Sequence, residues 1–179
     1  MTVSLELLGR GPSRPDLLDD LVVDEESMVS ALARWSAPAP VAVDPTDDTG
    51  LPALDAVAEV LAAGTPAIVE VAPGLAGPGP AADHLADLLA VAAHSGVGFG
   101  SGLVPRCADV DQVWALLAGA VAAMTGADVR AALAGPDPAR LLGLSRSARE
   151  AIRDVVTCAL VPDGRVDAIS ADLASVDGP

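Results

Sequence analysis

Lysine, asparagine and tyrosine are absent from the chain, and its 179 residues include a single phenylalanine and two cysteines. All ten basic residues are therefore arginine, a usage that we attribute to a GC-rich bacterial genome. They face 25 acidic residues, which leaves a formal net charge of −15. Nucleic acid and anionic membranes bind basic faces, because both carry negative charge. The charge balance therefore argues against both as partners.

Cysteine spacing and the hydropathy pattern bear on the compartment. Cys107 and Cys158 form no Cys-x-x-Cys pair, so we expect two unpaired buried thiols in a reducing cytoplasm. The amino terminus has no basic region followed by an apolar core, which argues against a secretory signal. The longest uncharged apolar stretch, residues 113–124, is too short to cross a bilayer. The sequence predicts a cytoplasmic protein.

What the chain does contain is strand-length apolar runs that alternate with helical patterns. Hydrophobic residues make up 51% of the chain, and the mean hydropathy is +0.47. The runs are apolar nearly throughout, which is typical of parallel strands covered on both faces. The alternation predicts an α/β fold with a mainly parallel sheet of about four strands and flanking helices. The predicted strands are residues 2–8, 40–43, 67–71 and 97–100.

Helices are predicted between the strands from leucine and valine at helical spacing. The first helix spans 51–61, with Asp48 or Thr49 as its cap and Gly64 as its stop. The second spans 85–92 and stops at Gly96. The third spans 110–120 and is capped by Asp109.

The last third of the chain has a different pattern. Capping boxes beginning at Thr125 and Ser147 open two short helices, and Asp137 opens another that stops at Gly143. Asp163 and Gly164 lie between apolar runs, which predicts a hairpin. We predict a single domain over 1–179, with βα units over 1–124, short helices over 125–158, and a hairpin and tail over 159–179.

Glycine recurs at every second position from Gly96 to Gly102. A dinucleotide-binding fingerprint needs a third glycine where this chain has Ser101 or Leu103, and a P-loop needs a lysine. Phosphate binding is therefore disfavoured. We predict instead that the following residues, together with the loop 72–83, line a small-molecule pocket: Gly98, Gly100, Ser101, Gly102 and Arg106.

Two stretches, "VGFGSGLVP" at 97–105 and "VRAALAGPDPARLLGL" at 129–144, resemble the amidohydrolase superfamily. The similarity is to the branch of aminocarboxymuconate-semialdehyde and resorcylate decarboxylases, and in weaker form it extends over most of residues 1–145. It implies a reduced, TIM-barrel-like architecture descended from metal-dependent hydrolases.

The same resemblance implies that the metal is lost. The positions that match the family's His-x-His pair are Leu5 and Leu7, and the position of its acidic ligand is Gly102. Hydrocarbon side chains offer no donor atoms to a divalent cation. We therefore expect no metal and no cofactor.

Three carboxylates are the candidate catalytic residues. Asp44 and Asp47 belong to the acidic stretch 44–50, which either forms a site or caps the next helix. Glu70 interrupts an apolar strand, so it faces a polar cavity or pairs with an arginine such as Arg10 or Arg106.

Three functions remain open from the sequence. We expect a non-catalytic amidohydrolase-like pseudoenzyme that acts as a partner, scaffold or regulatory subunit, associated with itself or with a full-length hydrolase relative, because a small apolar sheet has edges that need cover. One alternative is a small metal-dependent hydrolase or lyase that uses Asp44, Asp47 and Glu70. The other is a small-molecule binding module.

Overall fold

The structure is a computed structural model that describes residues 15–44, 52–71, 80–96 and 100–176. The predicted strand 2–8 lies outside the described residues, as do Asp47, Gly98 and the loop residues 72–79.

Eight helices and five strands are found in the described part of the chain. The strands are β1 Val22–Val23, β2 Val41–Ala42, β3 Ala67–Glu70, β4 Leu103–Arg106 and β5 Ala159–Leu160. The helices are α1 Glu25–Arg34, α2 Leu54–Ala62, α3 Pro80–His94, α4 Val110–Thr125, α5 Val129–Ala134, α6 Pro138–Leu142, α7 Arg146–Val155 and α8 Val166–Ser175.

The five strands form one all-parallel sheet in the order β1-β5-β4-β3-β2. This confirms the α/β class and the parallel sheet with flanking helices that the sequence predicts. The described strands do not close into a barrel, because β1 and β2 are the two edges of the sheet.

A proline occupies the central strand. Pro105 has no N–H to donate, so it interrupts a hydrogen-bond ladder. Leu103 pairs with Val156, whereas Arg106 pairs with Leu160, so the β5 side has one extra residue between the two pairs. The pairing of β4 with β5 is therefore irregular around Pro105.

Successive residues of each strand point to opposite faces of the sheet, and two separate apolar clusters result. The major cluster lies on one face and includes buried side chains from every helix from α2 to α8, such as Leu61, Leu89 and Leu117. The minor cluster lies on the other face, where α1 is the helix that contributes. Its buried members are Val23, Met28, Ala31, Leu32, Val104, Cys158 and Leu160.

The predicted C-terminal hairpin is wrong. Gly164 does adopt a left-handed turn, with φ of +76°, but α8 follows it in place of a strand. The apolar residues after the turn, Val166, Ile169 and Leu173, recur at helical spacing, and the last two enter the major cluster.

Of the strand predicted at 97–100, Gly100 is the one residue that the structure describes, and the prediction is wrong there. The strand begins at Leu103, and Gly100 lies in a turn with φ of +83°, a conformation that favours glycine. Residues 97–99 lie outside the described residues. Apolar character alone does not show where the strand begins, because the buried apolar residues include Leu103 and Val104.

Helix caps are predicted with mixed success. Asp109 and Asp137 cap α4 and α6 as expected. The caps predicted at Thr125 and Ser147 are wrong, because Asp128 caps α5 and Ser145 caps α7. The predicted cap of α2 is wrong as well, since its N-cap residue is Ala53.

Candidate functional site

The topology marks one place on the sheet where a ligand site is expected. β1 and β5 are neighbours, yet α1 leaves β1 toward the minor cluster, whereas α8 leaves β5 toward the major cluster. In open α/β sheets, ligands bind at the carboxyl ends of the strands where connections diverge in this way. A ligand site is therefore expected at the carboxyl ends of β3, β4 and β5, beside the start of α1.

A crevice of about 500 Å³ occupies this position. Its polar side chains are Glu25 from α1, Glu70 from β3, Arg106 from β4 and Asp163 from the turn after β5. The remaining wall is mostly apolar and includes Val71, Cys107, Ala108, Leu160, Val161 and Pro162.

Arg106 joins the two glutamates of the crevice. Glu70 is its register partner on β3, and Arg106 Nε lies 2.9 Å from Glu70 Oε1. Arg106 NH1 donates to Glu25 Oε1 at 2.6 Å and so links the sheet to the first residue of α1. The side chains of Glu70 and Glu25 are 55% and 63% exposed, so each pair contributes at most about 1 kcal/mol to stability. The network therefore positions charge more than it stabilises the fold.

The crevice carries excess negative charge. Arg106 is its single cation among the described residues, against Glu25, Glu70 and Asp163. Asp24 stands next to Glu25 as the N-cap of α1, and hydrogen bonds from Ser27 lower the pKa of its carboxyl group. A cationic group is therefore attracted to this edge of the sheet.

Cys107 is a buried part of the crevice wall. Its side chain is 3% exposed, and burial raises the pKa of the thiol well above its usual value. The thiol lies 3.8 Å from the carbonyl oxygen of Pro105. At neutral pH it is a protonated, weakly nucleophilic group.

The structure brings together two of the site residues that the sequence singles out. Glu70 pairs with Arg106, which is one of the two partners considered for it, and both face the crevice. Asp44 lies two residues beyond β2 and is exposed, outside the crevice wall.

The predicted glycine-rich residues lie at the amino end of β4, whereas the crevice lies at its carboxyl end. Gly100, Ser101 and Gly102 precede β4, whereas Arg106 ends it. Ser101 Oγ donates to the carbonyl of Gly64 at 2.9 Å, and the Gly102 N–H donates to a threonine hydroxyl at 3.0 Å. These contacts hold the start of β4 in place, and the structure does not bring these residues to Arg106.

Glu25 and Asp163 are crevice residues that the sequence interpretation missed. Glu25 lies within the capping box formed by Asp24 and Ser27, which is a readable helix-start signal directly after two valines. The sequence predicts Asp163 only as part of a hairpin turn. Both become site residues because β5 pairs with β1, and no local pattern encodes that pairing.

His94 has a local partner. His94 Nδ1 lies 2.8 Å from the carbonyl oxygen of Ala90, in the last turn of α3. In the part of the chain that the structure describes, no three histidine, cysteine, aspartate or glutamate side chains are grouped to hold an ion. No helix among the described residues is long and apolar enough to cross a membrane.

Comparison with protein-family models, with curated proteins and with solved structures finds no match to this chain.

Proposed function

We propose that the protein is a non-catalytic binding module whose ligand occupies the crevice at the carboxyl edge of the sheet. The ligand is a small organic cation, with an ammonium or guanidinium group attached to a short apolar part. The observation that carries this proposal is the Glu25–Arg106–Glu70 network in a crevice with apolar walls, where the connections of the sheet diverge.

The composition of the crevice accounts for the ligand class. Glu70 and Glu25 each contact Arg106 through Oε1, so both Oε2 atoms can accept hydrogen bonds from a ligand. Leu160, Val161 and Pro162 form an apolar wall that suits an aliphatic chain. The volume falls in the usual range for small-molecule sites.

A pair of four-carbon probes of opposite charge tests this assignment. We expect n-butylammonium to bind with a Kd on the order of 1 mM in ligand-observed NMR, as suits so small a ligand. Butyrate has the same number of carbon atoms but a negative head group, and it should not bind. Glu70→Gln should weaken butylammonium binding several-fold, because it removes one negative charge.

Glu59→Gln is the matched control, because Glu59 is an exposed glutamate on α2 outside the crevice. Equal binding of butylammonium and butyrate, or an unchanged affinity in Glu70→Gln, would contradict the proposed ligand class.

The enzyme alternative uses the same carboxylates differently. A hydrolase or lyase would need Glu70 and Asp44 to act on one substrate, but Glu70 is ion-paired with Arg106 and Asp44 lies outside the crevice wall. Elemental analysis of untagged protein separates the two functions. Stoichiometric zinc, manganese or iron would favour the metal-dependent enzyme.

The relationship to the amidohydrolases remains a proposal. It is supported by the βα alternation and by the strand order, which is the cyclic order of a barrel cut between β1 and β2. The position of Gly102 counts against it. The family's acidic residue lies at the carboxyl end of a strand, whereas Gly102 precedes β4.

We also propose that β2 is covered by another protein chain, either a second copy or a larger relative. Both residues of β2 are exposed, and Val41 is 46% exposed at the edge of a parallel sheet. Light scattering coupled to size exclusion should then show a dimer or larger species, and Val41→Lys should dissociate it. Val29→Lys on α1, at a residue 56% exposed, is the control. A monomer at micromolar concentration would count against association.

A further inference from the structure

We propose that α1 is a lid that opens from the sheet independently of the rest of the fold, with the Glu25–Arg106 ion pair as its latch. The proposal requires no ligand in the crevice, so it can fail or succeed separately from the binding function.

The minor cluster has a single helix as its cover. Apart from residues of the strands and Cys158, its buried members are Met28, Ala31 and Leu32 of α1. Ala37, which follows α1, is partly buried against them. Local opening becomes easier as fewer apolar contacts must be broken, and three side chains are few beside the major cluster. Detaching α1 uncovers one face of the sheet without disturbing the other.

The attachments at the two ends of α1 are exposed ion pairs. Glu25 is held by Arg106 at 2.6 Å, and Arg34 is held by Asp20 at 2.8 Å. Pairs of this kind contribute little to stability because water competes for both charges. They favour the closed position of the helix but stabilise it only weakly.

The backbone after α1 is suited to act as a hinge. Ser36 has φ of +57°, a left-handed conformation that is unfavourable for a residue with a side chain. Opening of α1 lets this residue relax. Ala37 packs against Gly100, where a Cβ would lie 2.7 Å from the Ala37 methyl carbon, so the closed position also depends on that glycine.

The two cysteines report separately on the two faces of the sheet. Cys158 is 2% exposed in the minor cluster beneath α1, and Cys107 is 3% exposed in the major cluster. Burial raises the pKa of the Cys158 thiol to about 12. Neither thiol can react quickly until the structure around it opens.

Thiol labelling of the native full-length chain with iodoacetamide, resolved by mass spectrometry, tests the lid. We expect Cys158 to be modified at least about tenfold faster than Cys107, because it needs only local opening. We expect Glu25→Gln to accelerate labelling of Cys158 about two- to fivefold and to leave Cys107 unchanged. Val29→Gly lowers helix propensity at an exposed position of α1, and it should accelerate Cys158 alone by about twofold.

Glu26→Gln is the matched control for the latch. Glu26 lies in the same first turn of α1, so its loss has the same effect on the helix dipole, but it has no ion pair among the described residues. It should leave the labelling rate of Cys158 near that of the native chain. Equal acceleration by Glu25→Gln and Glu26→Gln overturns the latch. Equal labelling rates for both cysteines, with the same dependence on urea, overturn the lid.

Discussion

The two faces of the sheet are built by different means. Seven helices contribute to the major cluster, which contains most of the buried leucines, whereas the minor cluster is closed by three side chains of α1. The described helices between β2 and β3, between β3 and β4, and between β4 and β5 all contribute to the major cluster. Most of the buried core therefore lies on one face, and the other bears the crevice network.

A buried arginine is the residue whose substitution we expect to destabilise the protein most. Arg153 is 1% exposed, and its guanidinium donates to the carbonyls of Asp16, Leu17, Asp19 and Thr157. Burial lowers its pKa to about 10. We expect Arg153→Met to destabilise the protein by about 3–5 kcal/mol in urea unfolding, because it leaves several buried carbonyls without donors.

Arg149→Met is the control on the same helix. Arg149 is one-quarter exposed and pairs with Asp16 at 3.2 Å, so we expect a loss of at most about 1 kcal/mol. Similar losses in the two variants would show that burial of Arg153 does not matter.

A matched pair of leucines tests how differently the two faces depend on packing. Leu117→Ala should destabilise the protein by about 4 kcal/mol, and Leu32→Ala by about 2 kcal/mol. Leu117 is fully enclosed in the major cluster, whereas Leu32 faces the sheet from a single helix that can shift to close the cavity. Thermal unfolding monitored by calorimetry distinguishes them, and a larger loss for Leu32→Ala would contradict the difference expected between the two faces.

Close packing at the amino end of β4 gives an intermediate effect. A Cβ on Gly102 would overlap the carbonyl oxygen of Asp154 and lie 2.6 Å from that of Val155. We expect Gly102→Ala to lower the free energy of unfolding by about 1–3 kcal/mol, because backbone must move. Gly126→Ala is the comparison, since a Cβ there meets nothing but φ is +71°. It should be destabilised by backbone strain alone, by about 1 kcal/mol.

Acid should act first on the minor face. Hydrogen bonds from Ser27 hold the pKa of Asp24 below its usual value near 3.8, so the charged form is favoured in the folded state. The resulting stabilisation of α1 is fully present above that usual value and is lost as the pH falls through the folded-state pKa. We expect amide exchange at pH 3 to rise in α1 before α4, and Asp24→Asn should reduce this pH dependence.

The sequence was informative where a pattern is local. Strands β2 and β3 and the long helices α3 and α4 follow from apolar runs, helical spacing and Asp109. The two-residue strands β1 and β5 are too short to show a period, and they exist because they pair with each other across most of the chain. The same distance explains the site: a carboxylate in an apolar strand indicated Glu70 and its arginine partner, but Glu25 and Asp163 meet them only through the tertiary fold.

The pairing of β1 with β5 has a consequence for synthesis on the ribosome. Val22 and Val23 are synthesised long before their partners Ala159 and Leu160, which lie far along the chain. Strands β2, β3 and β4 can assemble in chain order while β1 is still unpaired. The pairing of β1 with β5 joins residues far apart in sequence, so it should form slowly. From the synthesis of β4 until that of β5, the nascent protein should therefore expose an unpaired apolar edge on β4, the kind of surface that chaperones shield.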